Sequence, residues 1–199
     1  ALQIESRLAL ALCSVFLQAY TAALADGKAR WVERATARGM VKDLLQGLRK
    51  RRRAVFLDSG TERQRRKRRL RLDGKRALPV DDQDRTKVEE FMQRFAAVQA
   101  DPAFFQVRDV ARRIAGTGSL GLERYVILVG GRGDPDENFL LDLKWAPGSA
   151  LAPYIPGPQP GWQHEAERVV AIQRRMQAIA PAFLQAVTID ERSYVLREL

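Results

Sequence analysis

The stretch IAGTGSLGLERYVILVGGRGDPDENFLLDLKWA, residues 114–146, decides how this chain is read. Gly116, Gly118 and Gly121 stand at G-x-G-x-x-G spacing and lead into an apolar run, a loop rich in turn formers, and a second apolar run that ends at Lys144. A dinucleotide fold sets such glycines between a strand and a helix, with an acidic residue about 20 positions on. Here the β-branched and aromatic residues Tyr125, Val126, Ile127 and Val129 come next, so a strand follows the glycines. A Walker loop is excluded because no Gly-Lys-Ser or Gly-Lys-Thr closes the motif. What remains is strand, glycine loop, strand, turn, strand. In that order, backbone N–H groups can cover phosphates while a lysine on the next strand reaches the phosphate oxygens. A plain glycine-rich hairpin has the same spacing, and spacing alone leaves both open. On the phosphate reading the nucleotide-binding residues are Gly116, Gly118, Ser119, Gly121 and Lys144, and Glu165 or Glu167 on the following helix partners the lysine. Strand alternation puts Lys144 on one face with Leu140 and Asp142, opposite Leu143.

Working outward, "APGSALAPYIPGPQPGW" is a stiff proline-rich connector, followed by an expected helix over 163–180 and a strand at "SYVLREL". His164 falls at the start of that helix. Upstream, Val88, Phe91, Met92, Phe95 and Val98 predict a helix over 83–99, with Asp81 and Asp84 suiting its positive end. "RLRLDGKRALPV" reads as a hairpin turning at Asp73-Gly74. Two further helices are expected over 2–25 and 28–48. The first carries Ile4, Leu8, Leu12, Val15, Phe16, Ala19 and Ala23 on one stripe and stops at Asp26-Gly27. That stripe predicts a buried amphipathic helix, with Cys13 as a small core residue. Trp31, Trp145 and Trp162 are expected as packing anchors. The fold class is α+β, with a helical region over 1–100 and a glycine-loop region over 101–199 built as an antiparallel sheet with one packed helix.

The chain has 199 residues and a formal net charge of +10, yet residues 49–76 hold fourteen Lys or Arg against Asp58, Glu62 and Asp73. The basicity therefore belongs to one segment. It reads as a solvated loop, as a dock for an acidic partner or polyphosphate, or as a nucleic-acid contact. Phe56 is its one aromatic, which leaves little for base stacking and makes nucleic acid the weakest of the three. Such self-repelling charge predicts a mobile or surface-bound segment, in which replacing Arg65, Arg66, Arg68 and Arg69 leaves the melting temperature nearly unchanged. One cysteine forbids an internal disulfide, and one histidine with one cysteine cannot build a structural zinc site. "RLALALCSVFLQAYTAALADG" has signal-peptide features, but Glu5, Gln18 and Thr21 argue against that and against a membrane span. The default is a cytoplasmic, metal-poor protein. The chain opens in a helix without a cap and closes in a strand, which reads as a fragment.

The stretches "DVARRIAGTGSLGLERYVILVGGRGDPDENFLLDLKWA", "SALAPY", "ERVVAIQRRMQA" and "SYVLREL" resemble the bacterial family called domain of unknown function 2252. The likeness covers most of residues 109–199, and the basic helical half looks like the family's middle region. Family members resemble kinase-like and aminoglycoside-phosphotransferase-like proteins. The resemblance implies a kinase N-lobe-like sheet, ATP and Mg2+ as cofactors, and transfer of phosphate to an acceptor these residues do not identify. The glycines and Lys144 match the family pattern, whereas the helix often carries Gln near position 167. The family's upstream Gly-Asp-x-His-x-x-Asn-Phe and Asp-Phe-Asp-like motifs, its candidates for catalytic base and magnesium ligands, are not among these residues. A non-catalytic basic binding module is the alternative.

Overall fold

The computed structural model describes residues 4–28, 31–48 and 51–199. Its centre is a six-stranded antiparallel sheet of β3 (Ala77–Leu78), β4 (Val107–Arg113), β5 (Arg124–Val129), β6 (Phe139–Trp145), β7 (Gln185–Ile189) and β8 (Arg192–Glu198). The spatial order is β3-β4-β5-β6-β8-β7. β4, β5 and β6 form a meander; α5 (Glu165–Met176) follows, and the chain returns as the β7–β8 hairpin with β8 against β6.

The two strands expected after the glycines form at 124–129 and 139–145 and pair from Arg124↔Lys144 to Val129↔Phe139. No helix follows Gly121, so the dinucleotide alternative falls. The 130–138 loop closes on itself: Asn138, fully buried, donates from Nδ2 to the carbonyls of Val129 and Gly130 and to Asp134. Gly131 is required there, with φ +63° and the position of a Cβ only 2.2 Å from the Glu137 carbonyl oxygen.

Each central strand is buried on both sides, which is why its sequence is a continuous apolar run rather than an alternation. One face carries Tyr125, Ile127, Val129, Phe139, Leu141, Leu143, Tyr194 and Leu196 against α4 (Asp82–Ala97), through Val88, Phe91, Met92 and Phe95. Phe104, Phe105 and Phe183 close it in a cluster of tilted and edge-on rings. α4 begins at Asp81, whose carboxylate accepts from the Asp84 N–H at 2.7 Å. The opposite face carries two separate apolar patches. Ala111, Val126, Leu128 and Leu140 pack under Leu57 of α3 (Arg53–Gly60) and Leu70 of β2 (Lys67–Leu70). Ala146 and Val195 pack under Ala166 and Val170 of α5.

The basic segment lies largely at the surface, but it is folded and some of its arginines are paired. Its described part, 51–76, folds into α3 and a hairpin of β1 (Thr61–Gln64) and β2, turning at Arg65-Arg66 with Arg65 at φ +57°. Arg68 is 2% exposed, paired to Asp58 at 2.6 Å and Asp136 at 2.8 Å, and donates to the Pro135 carbonyl. Burial requires partners for such a charge, and the carboxylate of Asp136 arrives from 68 residues away. Arg69 also engages Asp109 and the Arg108 carbonyl. The hairpin expected at Asp73-Gly74 is instead a capped turn: Asp73 accepts from the N–H groups of Lys75, Arg76 and Ala77, and the chain then pairs with β4 as β3.

The N-terminal helices differ too. α1 (Ser6–Asp26) stops at Gly27 in the left-handed region, as expected, but it has no buried residue, and Cys13 is exposed. The stripe of three- and four-residue steps is real, yet Leu10 and Leu17 lie off it and the helix is apolar all round. It is long and apolar enough to cross a membrane by length and composition. Among the described residues it meets the rest of the chain at α5, where Arg175 donates to the Leu24 carbonyl. α2 (Gly39–Leu48) is shorter than expected and likewise exposed. Of the tryptophans, Trp145 packs against the α4-side core beneath Arg192, while Trp31 and Trp162 are exposed.

Candidate functional site

Between the two apolar patches on the α5 face lies an island of charge. Asp142, buried at 1% exposure, receives Arg124 in a fork, Nε to Oδ1 and Nη2 to Oδ2, each at 2.7 Å. Arg113 donates to Oδ1 at 2.7 Å, and Arg197 approaches Oδ2 at 3.5 Å. Burial pushes the Asp142 carboxyl up, but the guanidiniums of Arg124 and Arg113 outweigh it and hold it below the usual carboxylate range. The sheet makes this possible. Arg113 ends β4, Arg124 opens β5, Asp142 sits in β6, and Arg197 stands directly opposite Asp142 in β8.

Lys144 belongs to the same face, opposite Arg124 on one side and Val195 on the other. Glu165 pairs with Arg168 at 2.8 Å, and Glu167 accepts from the Gln163 N–H. The structure therefore brings neither glutamate to the lysine, and among the described residues Lys144 has no carboxylate within salt-bridge distance. Burial and the neighbouring Arg124, with Arg197 adding to them, hold the Lys144 ammonium below the ordinary lysine value against the pull of Asp142. Three guanidiniums thus occupy one carboxylate, and the ammonium beside them has none within reach among the described residues. The arrangement is short of negative charge.

The glycine segment joins β4 to β5 at one end of the sheet, and Gly121 lines the open cleft on the α4 side rather than the island. Thr117–Ser119 forms a 3₁₀ turn, with Gly116 at φ +74° and Gly121 at φ +81°, so both need the left-handed region. Ser119, Leu120 and Leu122 spend their N–H groups on carbonyls within the segment. Gly118 lies inside the turn. Arg124 ties the segment to the island by donating to the Ala115 carbonyl at 2.9 Å. Beside the island a slot of about 380 Å³ opens, walled by Ile114, Val126, Leu140, Leu199 and Phe56, with Arg113 on its lining.

On the α4 face the charged group is Glu123, which accepts from Lys87, from the hydroxyls of Tyr125 (2.7 Å) and Tyr194 (2.8 Å), and from Arg192 (2.6 Å). Burial raises this carboxyl, but the bonds from Lys87 and the two tyrosines bring it down to about 2. It borders an open cleft of about 1130 Å³. Its acceptor capacity is taken by four donors, so it acts as a clamp between α4, β5 and β8. His164 does stand at the N-cap of α5, without a capping bond.

Alternation along β6 exposed the grouping of Leu140, Asp142 and Lys144 from sequence alone. Arg113, Arg124 and Arg197 were missed as partners because their convergence depends on cross-strand register, which has no local signature.

A family model described as "Uncharacterized protein conserved in bacteria (DUF2252)" matches residues 1–199. The chain belongs to this family. No curated protein and no solved structure matches it. The match also covers the N-terminal and basic segments, which the glycine block by itself leaves unassigned.

Proposed function

We propose that this member of the DUF2252 family binds the phosphates of a nucleotide on the α5 face, with Lys144 and the 114–123 segment as the phosphate-holding elements of a kinase-like phosphotransferase. One observation carries the reading: among the described residues a half-buried ammonium has no carboxylate within salt-bridge distance, in an island where three guanidiniums already engage Asp142. A buried excess of cations is costly unless an anion joins it, and phosphate oxygens accept several charge-assisted bonds at once. The element order supports the same reading. A glycine-rich turn between the first two strands of a meander, a lysine on the third and a helix before the returning strands is the layout of a kinase phosphate clamp. The alternative, a basic binding module, loses support as the segment's arginines are drawn into internal pairs, Arg68 above all.

The residues here do not fit a magnesium ion. Asp142, the carboxylate of the island, is engaged by three guanidiniums, and among the described residues no group of three or more His, Cys, Asp or Glu converges. The contribution of this chain is binding and orientation. Thermal melting with increasing Mg-ATP tests the proposal: a ligand that binds the native state alone raises the midpoint with concentration. A midpoint that rises with Mg-ATP and equally with tripolyphosphate supports a phosphate site. A midpoint indifferent to both overturns it.

A further inference from the structure

The slot beside the island has a chemistry unlike that of its neighbour. Ile114, Val126, Leu140 and Leu199 give it aliphatic walls and Phe56 of α3 an aromatic one, while Arg71, Asp73 and Arg76 add charged groups to its lining. Its volume of about 380 Å³ lies in the range of small-molecule sites. Arg113 lines the slot and also donates to Asp142, so slot and island are contiguous. Along β6 the apolar wall Leu140 and the unpaired Lys144 stand on one face, four residues or roughly 13 Å apart at ~3.3 Å per residue. A ligand that fills both needs a flat apolar body at one end and several negative charges at the other.

We infer that this slot is the base subsite of the nucleotide, taking a purine or comparable planar heterocycle against the wall of Ile114, Val126 and Leu140, with Arg113 at the junction with the phosphates. The inference rests on the phosphate reading above and adds the ligand's other half. Planar rings bury well against aliphatic and aromatic walls. The slot's position at the root of the glycine segment, next to Ala115, puts the base and the loop at the same end of β4.

The experiment separates the two halves. Methyl NMR spectra of the full chain are recorded with adenosine, with tripolyphosphate and with ATP, without relying on any variant. Adenosine is expected to shift the methyls of Ile114, Val126 and Leu140, and tripolyphosphate to leave them nearly still. Ile114→Trp, at the partly exposed rim, is expected to fill the slot, weakening ATP by about tenfold, on the scale of one lost apolar contact surface, while tripolyphosphate binds as before. If tripolyphosphate and ATP bind equally and adenosine moves no slot methyl, the base subsite is wrong and the phosphate reading stands. If none of the three binds, both fall.

Discussion

The two faces of the central sheet are made by alternate residues of the same strands, yet they are built on different principles. On the α4 face Leu141, Leu143, Tyr125 and Leu196 close a dry core, and charge is kept to the rim at Glu123, where every partner is present. On the α5 face the apolar covering is broken in the middle, and the gap holds Asp142, three arginines and Lys144. A chain that needed only to fold would have continued the covering, since well-packed apolar residues match or exceed buried ion pairs in stability. The difference is one of covering: a continuous apolar core closes the α4 face, while the α5 face leaves a charged gap between its two apolar patches.

The largest test strikes the α4 face. Leu143→Ala, at a fully buried position, is expected to cost about 4 kcal/mol of unfolding free energy in denaturant titration, as large-to-small core changes do. A loss below about 1 kcal/mol would mean this face is not the stabilising one. Next, Arg68→Ser removes a buried side chain with its bonds to Asp58, Asp136 and the Pro135 carbonyl and is expected to cost about 1–2 kcal/mol, whereas Arg65→Ser at the exposed hairpin tip stays within about 0.5 kcal/mol. Equal effects for the two would remove the distinction between buried and solvated arginines in the basic segment.

A comparable effect comes from pH. Glu123 has its carboxyl lowered to about 2 in the folded chain against a reference of 4.5. A depressed carboxylate gives stability that is present above the unfolded value and lost as pH falls toward the folded one. The clamp therefore weakens between about pH 4.5 and 2, by on the order of 2 kcal/mol. Glu123→Gln is expected to flatten that arm of the pH–stability curve. An unchanged acid arm would show that the clamp does not hold α4 to the sheet.

Sequence carried some of this and not the rest, for identifiable reasons. β5 and β6 were legible because a continuous apolar run bounded by Gly, Pro and Asp is a local signal. α4 was legible from its stripe and the acids at its start, although Val98 of that stripe is the exposed C-cap. The basic segment was misread because self-repulsion is local, whereas the carboxylate of Asp136 comes from the loop after β5. α1 was misread because a stripe records what a helix could bury and says nothing of what covers it. Around Lys144, alternation along β6 was legible, while the arginine fork on Asp142 had to await the strand register.

The most direct test of the division between faces uses the residue next to Leu143 on the same strand. Lys144 has its ammonium held below the ordinary lysine value, so the charged form is disfavoured by folding and its removal should not weaken the fold. Lys144→Met is measured twice, by denaturant titration and by calorimetric titration with Mg-ATP. The expected result is unfolding free energy equal to or slightly above that of the parent, with nucleotide affinity reduced by roughly 10- to 100-fold, the scale of one hydrogen bond to a charged group at about 1.5–3 kcal/mol. Equal affinity in the two proteins, or a lysine whose loss unfolds the chain, would contradict the account.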